Sequence, residues 1–271
     1  MSSVADSDLK GKWALILGAS SGFGGTTAER LSREGMNIFG VHLDRKATLS
    51  NAEKIQDDIR ANGAEAVFFN VNAAAQDTRD DVISQMKDRL GGEAAGGVRV
   101  LLHSLAFGAL KPYITEESDG AISAKQMDMT LDVMAHSLVY WSQDLIRNGL
   151  MTKGGRILAM TSSGGHRIWP SYGAVSAAKA ALESHIRQLA FELADKEITA
   201  NCVQAGVTDT PALRKIPGNV AMLEKAQQVN PHGRLTTPEN VADAIATFAC
   251  DGTRWMTGNT IRVDGGEDIT G

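Results

Sequence analysis

The sequence predicts an α/β fold: one domain over residues 1–271, a doubly wound, largely parallel sheet of about seven strands with helices on both faces. Two observations carry this. Short apolar runs alternate with helix-length amphipathic segments along nearly the whole chain, the pattern of successive βαβ units. No internal repeat, linker or low-complexity block divides the 271 residues, and their 43% hydrophobic content is enough for one large core.

A polar tail (1–11) precedes the first strand, Trp13 to Leu17, which ends at Gly18. A glycine-rich turn then feeds a helix with Leu31 facing inward. Asn37 to Leu43 reads as a second strand, and Ala47 to Ala61 as a helix with Leu49, Ala52, Ile55 and Ile59 on one side. Glu65 to Phe69 is the third strand and Asp77 to Leu90 the third helix, followed by the loop GGEAAGG. Val98 to His103 is a fourth strand, Ser123 to Arg147 one long helix, and Arg156 to Thr161 a fifth strand. The next helix has Leu182, Ile186, Leu189 and Leu193 at the spacing of one face, and Ile198 to Val203 follows as a sixth strand. Residues 207 to 236 break the rhythm with Pro211, Pro217, Gly218, Pro231 and Gly233. Thr237 and Pro238 suit the N-cap and first position of the last helix. Asn259 to Val263 is the final strand.

Charge and composition narrow the function. There are 27 basic and 32 acidic residues, a net charge of −5, and no Lys/Arg-rich run, which argues against a nucleic-acid groove or a membrane patch. No apolar run approaches the roughly 20 residues that span a bilayer, and the polar start lacks a secretory core, so a cytoplasmic protein is expected. Cys202 and Cys250 lie in apolar segments and read as reduced core residues. The histidines at 103, 136, 166, 185 and 232 show no ligand spacing, so no metal is expected.

Two stretches carry chemistry. Gly18, Gly22 and Gly24 stand directly between the first strand and the first helix. Glycine there lets the backbone approach a pyrophosphate, and the helix N-terminus offers free N–H groups and partial positive charge, so dinucleotide binding on a Rossmann-type sheet is expected. Farther on, Tyr172 and Lys179 are seven residues apart. That offset is about 700°, within roughly 20° of two whole turns and about 10 Å along the axis, so both point the same way if the helix already runs at Tyr172. A phenol beside an ammonium is a plausible proton donor, because positive charge lowers its ordinary pKa of about 10.

The spacing G-x-x-x-G-x-G resembles the fingerprint of the short-chain dehydrogenase/reductase family, and the resemblance extends through the strand, turn and helix around Tyr172 to the terminal segment 258–266. Common members carry Tyr-x-x-x-Lys. Here the residue four before Lys179 is Val175, whereas Tyr-x6-Lys is present, as in the enoyl-acyl carrier protein reductases. His103-Ser104-Leu105-Ala106-Phe107 and Asp132-Val-Met-Ala-His-Ser137 also resemble that branch. The second tyrosine of many such enzymes is Ser162 here, as in their NADPH-using members.

The resemblance implies reduction of the 2,3 double bond of an enoyl thioester, with Tyr172 as donor to the enolate oxygen, Lys179 on the nicotinamide ribose, and Ser162 lining the pocket or stabilising the oxygen secondarily; the competing reading of Ser162 is a serine that only caps a turn. It also implies cofactor contacts from Ser20, Ser21, Phe23, Asn70, Val71, Ser104, Leu105, Ala106, Gly206, Thr208 and Thr210, a homotetramer, and an acyl carrier protein or coenzyme A as the substrate's carrier. The position that often carries an NADH-selecting Asp is His42; Asp44, Arg45 and Lys46 follow. Arg45 and Lys46 favour NADPH through its 2′-phosphate, and Asp44 keeps NADH open. Residues 207–232 are expected to form a substrate lid, with Arg214, Lys215 and Lys225 facing an acidic carrier and Met160 and Met222 beside an acyl tunnel. Two other functions remain open: a carbonyl reductase acting, for example, on 3-oxoacyl thioesters, and a dinucleotide-sensing regulator without catalysis.

Overall fold

The computed structural model describes residues 8–91, 97–117 and 120–270. Most of the polar tail and the centre of the GGEAAGG loop lie outside the described residues. All seven expected strands form: β1 (Trp13–Leu17), β2 (Asn37–His42), β3 (Ala66–Asn70), β4 (Val98–His103), β5 (Arg156–Ser162), β6 (Thr199–Ala205) and β7 (Thr260–Val263). They make one sheet in the order β3-β2-β1-β4-β5-β6-β7, every neighbouring pair parallel.

The alternation of side chains along each strand builds two cores. On β1, Trp13, Leu15 and Leu17 enter one apolar cluster, while Ala14 and Ile16 enter the other. The first cluster is covered by α3 (Gln76–Leu90), α5 (Ser137–Arg147) and α6 (Gly173–Glu192), through Met86, Trp141 and Leu182 among others. The second is covered by α1 (Gly22–Arg33), α2 (Leu49–Ala61) and α8 (Pro238–Ala249), through Leu31, Ile59 and Ile245. Each such Leu or Ile contributes about 1.5–3 kcal/mol by leaving water. Both faces of the sheet are therefore needed to bury the strands, which explains their near-continuous apolar runs.

From β1 the chain winds outward to β3, then returns to the other side of β1 to place β4. This reversal opens a crevice above the C-terminal ends of β1 and β4, where loops diverge to opposite faces.

Three expectations need correction. The segment expected as one helix from Ser123 is α4 (Ala124–Leu131), a π-helical turn (Asp132–His136) and then α5. Just after that turn, Ser137 Oγ donates back to Val133 O at 2.8 Å, and Ser137 Oγ also meets His103 Nε2 at 2.8 Å. A side-chain bond to the backbone competes with helical geometry but leaves the apolar pattern intact, so periodicity could not reveal it. The helix at Pro238 is not the last: α9 (Glu267–Thr270) follows β7. The cap reading there is otherwise met, with Thr237 and Asn240 bonding reciprocally. Finally, Tyr172 stands just outside α6 as its N-cap residue.

Candidate active site

The crevice continues into a cavity of about 380 Å³ above β4, β5 and β6, lined by residues of the loops after each strand. The turn after β1 forms its first edge. Gly18 has φ +91°, and a Cβ there would lie 2.5 Å from Ser104 O. A Cβ on Gly24 would lie 2.1 Å from Gly18 O, so neither position admits a side chain. Ser21 is the N-cap of α1, yet its side chain makes no capping bond. The N-terminal N–H groups of α1 are thus left for another acceptor, and with the two bare glycines they fit a dinucleotide pyrophosphate. Gly22 lies against Thr210, whose Cγ2 is 3.7 Å from the Cβ position, so this turn reaches the far wall.

Phe23, Ser104, Leu105, Ala106, Ser162, Tyr172, Lys179, Gly206, Thr208 and Thr210 all line the cavity. Gly18, Ser20, Ser21, Gly22 and Gly24 form the turn at its side, and Arg45, Lys46, Asn70 and Val71 lie beyond it after β2 and β3. Asn70 clamps the backbone of Asp44, accepting from its N at 2.9 Å and donating to its O at 3.0 Å. Val71 N bonds His42 O at 2.8 Å. The Asp44 carboxylate is occupied locally: His42 Nδ1 lies 2.8 Å away, and bonds from Ser20, Thr48 and His42 hold it below the usual carboxylate range. Arg45 and Lys46 are exposed, and no described residue pairs with their side chains.

At the centre, Lys179 is buried and its Nζ donates to Met160 O at 2.8 Å. Burial pushes its pKa down to about 8, so the ammonium gives up its proton far more readily than in water. Tyr172 corrects the expectation from spacing. Burial raises the phenol's pKa, and the opposing pull comes from a hydrogen bond with Ser162, not from Lys179. Ser162 lines the cavity and also caps a turn, its Oγ accepting from Gly164 N at 3.2 Å. The Tyr172 ring rests on Gly164, where a Cβ would be 2.6 Å from Cε1.

Val175, the position four before Lys179, also lines the cavity and is 5% exposed. It offers no proton. Met160 and Met222 border the same space, as expected. Arg214 differs from Lys215 and Lys225: Asp209 holds it at 2.7 and 2.9 Å, whereas the two lysines line the cavity with no ion pair among the described residues.

Sequence reasoning missed Arg167, Ile168, Trp169 and Glu267, all on the lining. It also missed His103, fully buried with its pKa pushed down to about 3 by burial and by Lys179, and so neutral. The Trp169-Pro170 pair marks a turn, but nothing in the local pattern brings Glu267 back from the far end of the chain. Among the described residues no group of three or more His, Cys, Asp or Glu has the arrangement of a metal site. Both cysteines are free, and burial raises the Cys202 thiol to about 12. Among the described residues no helix is long and apolar enough to cross a membrane.

A family model described as enoyl-(acyl carrier protein) reductase matches residues 18–267, nearly the whole chain. The chain belongs to the short-chain dehydrogenase/reductase family. Among relatives within this oxidoreductase family, the NADH enoyl-[acyl-carrier-protein] reductase FabI of Aquifex aeolicus is 28% identical, over 97% of this chain and 93% of its own. Its crystal structure superposes with a TM-score of 0.80, covering 97% and 98% of the two chains at 26% identity. The 3-oxoacyl-[acyl-carrier-protein] reductase FabG of Pseudomonas aeruginosa is 30% identical over 95% of this chain and 98% of its own. The angucycline C-6 ketoreductase LanV, solved with NADP bound, has a TM-score of 0.83 and 25% identity, covering 97% and 98%. Short-chain dehydrogenase/reductase relatives thus divide between reducing C=C and C=O bonds, and their names alone leave the reaction of this chain open.

Proposed function

We propose that this protein is an NADPH-dependent reductase of enoyl thioesters. The observation that carries the reading is that Tyr172 and Ser162 line the cavity together while Val175, one turn from Lys179, is apolar and buried. A ketone reductase needs its proton donor beside the carbon that is reduced. In an enoyl thioester the reduced β carbon and the charged oxygen are separated by the conjugated system, and a donor set farther from Lys179 suits that geometry.

A reduced nicotinamide, when bound, supplies the hydride for the β carbon. The turn at Gly18 and Gly24 and the open end of α1 would hold its pyrophosphate, and Lys179 its ribose hydroxyls. Tyr172 donates from its hydroxyl to the thioester oxygen as negative charge collects there. The Ser162 hydrogen bond stabilises the phenolate that forms, against the burial that raises the phenol's pKa. NADPH is favoured because Asp44 is occupied by its neighbours, while Arg45 and Lys46 are free to meet a 2′-phosphate.

Residues 207–232 act as the lid of this site. Leu213, Ile216, Met222, Ala226 and Val229 from that segment line the cavity. Lys215 and Lys225 at its mouth give an acidic carrier protein a place to approach.

The test is cofactor oxidation with crotonyl-coenzyme A beside acetoacetyl-coenzyme A, with NADPH and NADH in turn. Turnover of the enoyl compound is expected, with about a 100-fold or greater loss of kcat in Tyr172→Phe and dinucleotide affinity within about threefold. Turnover of the keto compound alone assigns the FabG-like reaction instead. A wild-type rate in Tyr172→Phe removes the proposed donor.

A further inference from the structure

The short terminal helix α9 packs against the loops that wall the cavity, and one buried carboxylate gathers most of its contacts. The Asp268 side chain is 2% exposed. Its oxygens accept from Arg167 Nε at 2.6 Å and Gln204 Nε2 at 3.0 Å, and His166 Nε2 and Arg262 Nε each lie 3.1 Å away. Arg167 Nη2 also donates to Asp268 O. The donors come from the turn after β5, from β6 and from β7, so one group ties three diverging segments together. Asp264 holds the helix start, accepting from Asp268 N at 3.0 Å, and Glu267 accepts from Val207 N at 3.1 Å.

From Asp268 a continuous path leads to the phenol. His166 N and Arg167 N close the turn on Ser163 O at 3.0 and 2.8 Å. Inside that turn Gly164 N donates to Ser162 Oγ, and the face of Gly164 supports the Tyr172 ring. We infer that Asp268 is a positioning residue: by clamping Arg167 and His166 it fixes the turn that sets Ser162 against Tyr172. A carboxylate is suited to this, because one anion can receive several donors from diverging strands and charge-assisted bonds are the strong ones. The inference rests on the reading of Tyr172 as proton donor.

The test uses the full chain with Asp268→Asn, which keeps the shape and removes the charge. Three readouts are needed: amide exchange across 163–169, dinucleotide affinity from NADPH fluorescence, and kcat and KM with crotonyl- and acetoacetyl-coenzyme A. Exchange is expected to accelerate tenfold or more in 163–169 and to stay unchanged in α1. Dinucleotide affinity and KM should hold within about threefold while kcat falls about tenfold or more. If Asp268→Asn does not fold, Arg167→Gln removes one arm of the clamp and is read in the same way. Unchanged exchange in 163–169, or faster exchange with an intact kcat, overturns the inference. Should the wild type reduce neither thioester, the functional reading fails on its own, and the exchange measurement still decides whether Asp268 holds the turn.

Discussion

Lys179 shows how a single residue sets stability against function. Its pKa is about 8 in the folded protein and about 10.5 when unfolded. The unfolded chain therefore binds the proton more tightly at neutral pH, and the penalty fades only as pH rises from about 8 toward 10.5. Lys179→Met is expected to raise the melting temperature at pH 7 while weakening dinucleotide binding. In the wild type, affinity for the reduced dinucleotide should fall as pH rises through about 8, and in the methionine variant that dependence should vanish. Calorimetry and fluorescence titration check both; a lower melting temperature for Lys179→Met would contradict the cost assigned to its burial. At this scale the sequence was informative about identity and poor about environment. Tyr172 and Lys179 were legible from their spacing, but the influence on the phenol was misassigned, because burial and the Ser162 contact depend on how β5 meets α6. Ser171 makes the same point: its φ of +62°, unusual for a residue with a side chain, sets the chain's entry to Tyr172 and has no signature in the sequence.

At the scale of elements, apolar periodicity located all seven strands and most helices, with ends displaced by a residue or two. It failed where side chains redirect the backbone. The π-helical turn at Asp132–His136 keeps the helical apolar pattern, so only the Ser137 bond to Val133 and its contact with His103 reveal the change. The short 3₁₀ turn at 163–165, which supports the phenol, was hidden among glycines and serines that any loop contains. The segment 207–232 was legible as irregular from its prolines and glycines, although α7 (Asn219–Val229) occupies much of it. Its apolar side chains face a cavity and not the main core, so few contacts hold it when that space holds no ligand. Amide exchange across 207–232 should therefore be fast in the free protein and slow on NADPH binding. Equal protection in both states would mean that the segment is a fixed wall.

For the whole molecule, the order of strands decides where the site lies; the alternation of βαβ units predicted a doubly wound parallel sheet, and the order itself is a finding of the structure. The contributions that sequence could not convey are those that close distances across the chain. Glu267 and Asp268 reach the loops after β5 and β6 only because β7 lies beside β6. That parallel arrangement has a cost on the way to the native state. No two neighbouring strands of this sheet are linked by a hairpin, so Trp13 on β1 gains its partner Val98 on β4 only after three intervening helices have been made or bypassed. Contacts so remote along the chain form slowly, and refolding from urea should recover helical circular dichroism well before tryptophan fluorescence, with yields that decline as protein concentration rises. Coincident recovery within milliseconds would show that the central strands find each other without that delay. The same winding that opens a crevice for a ligand thus leaves the newborn chain exposed to its neighbours until its middle is complete.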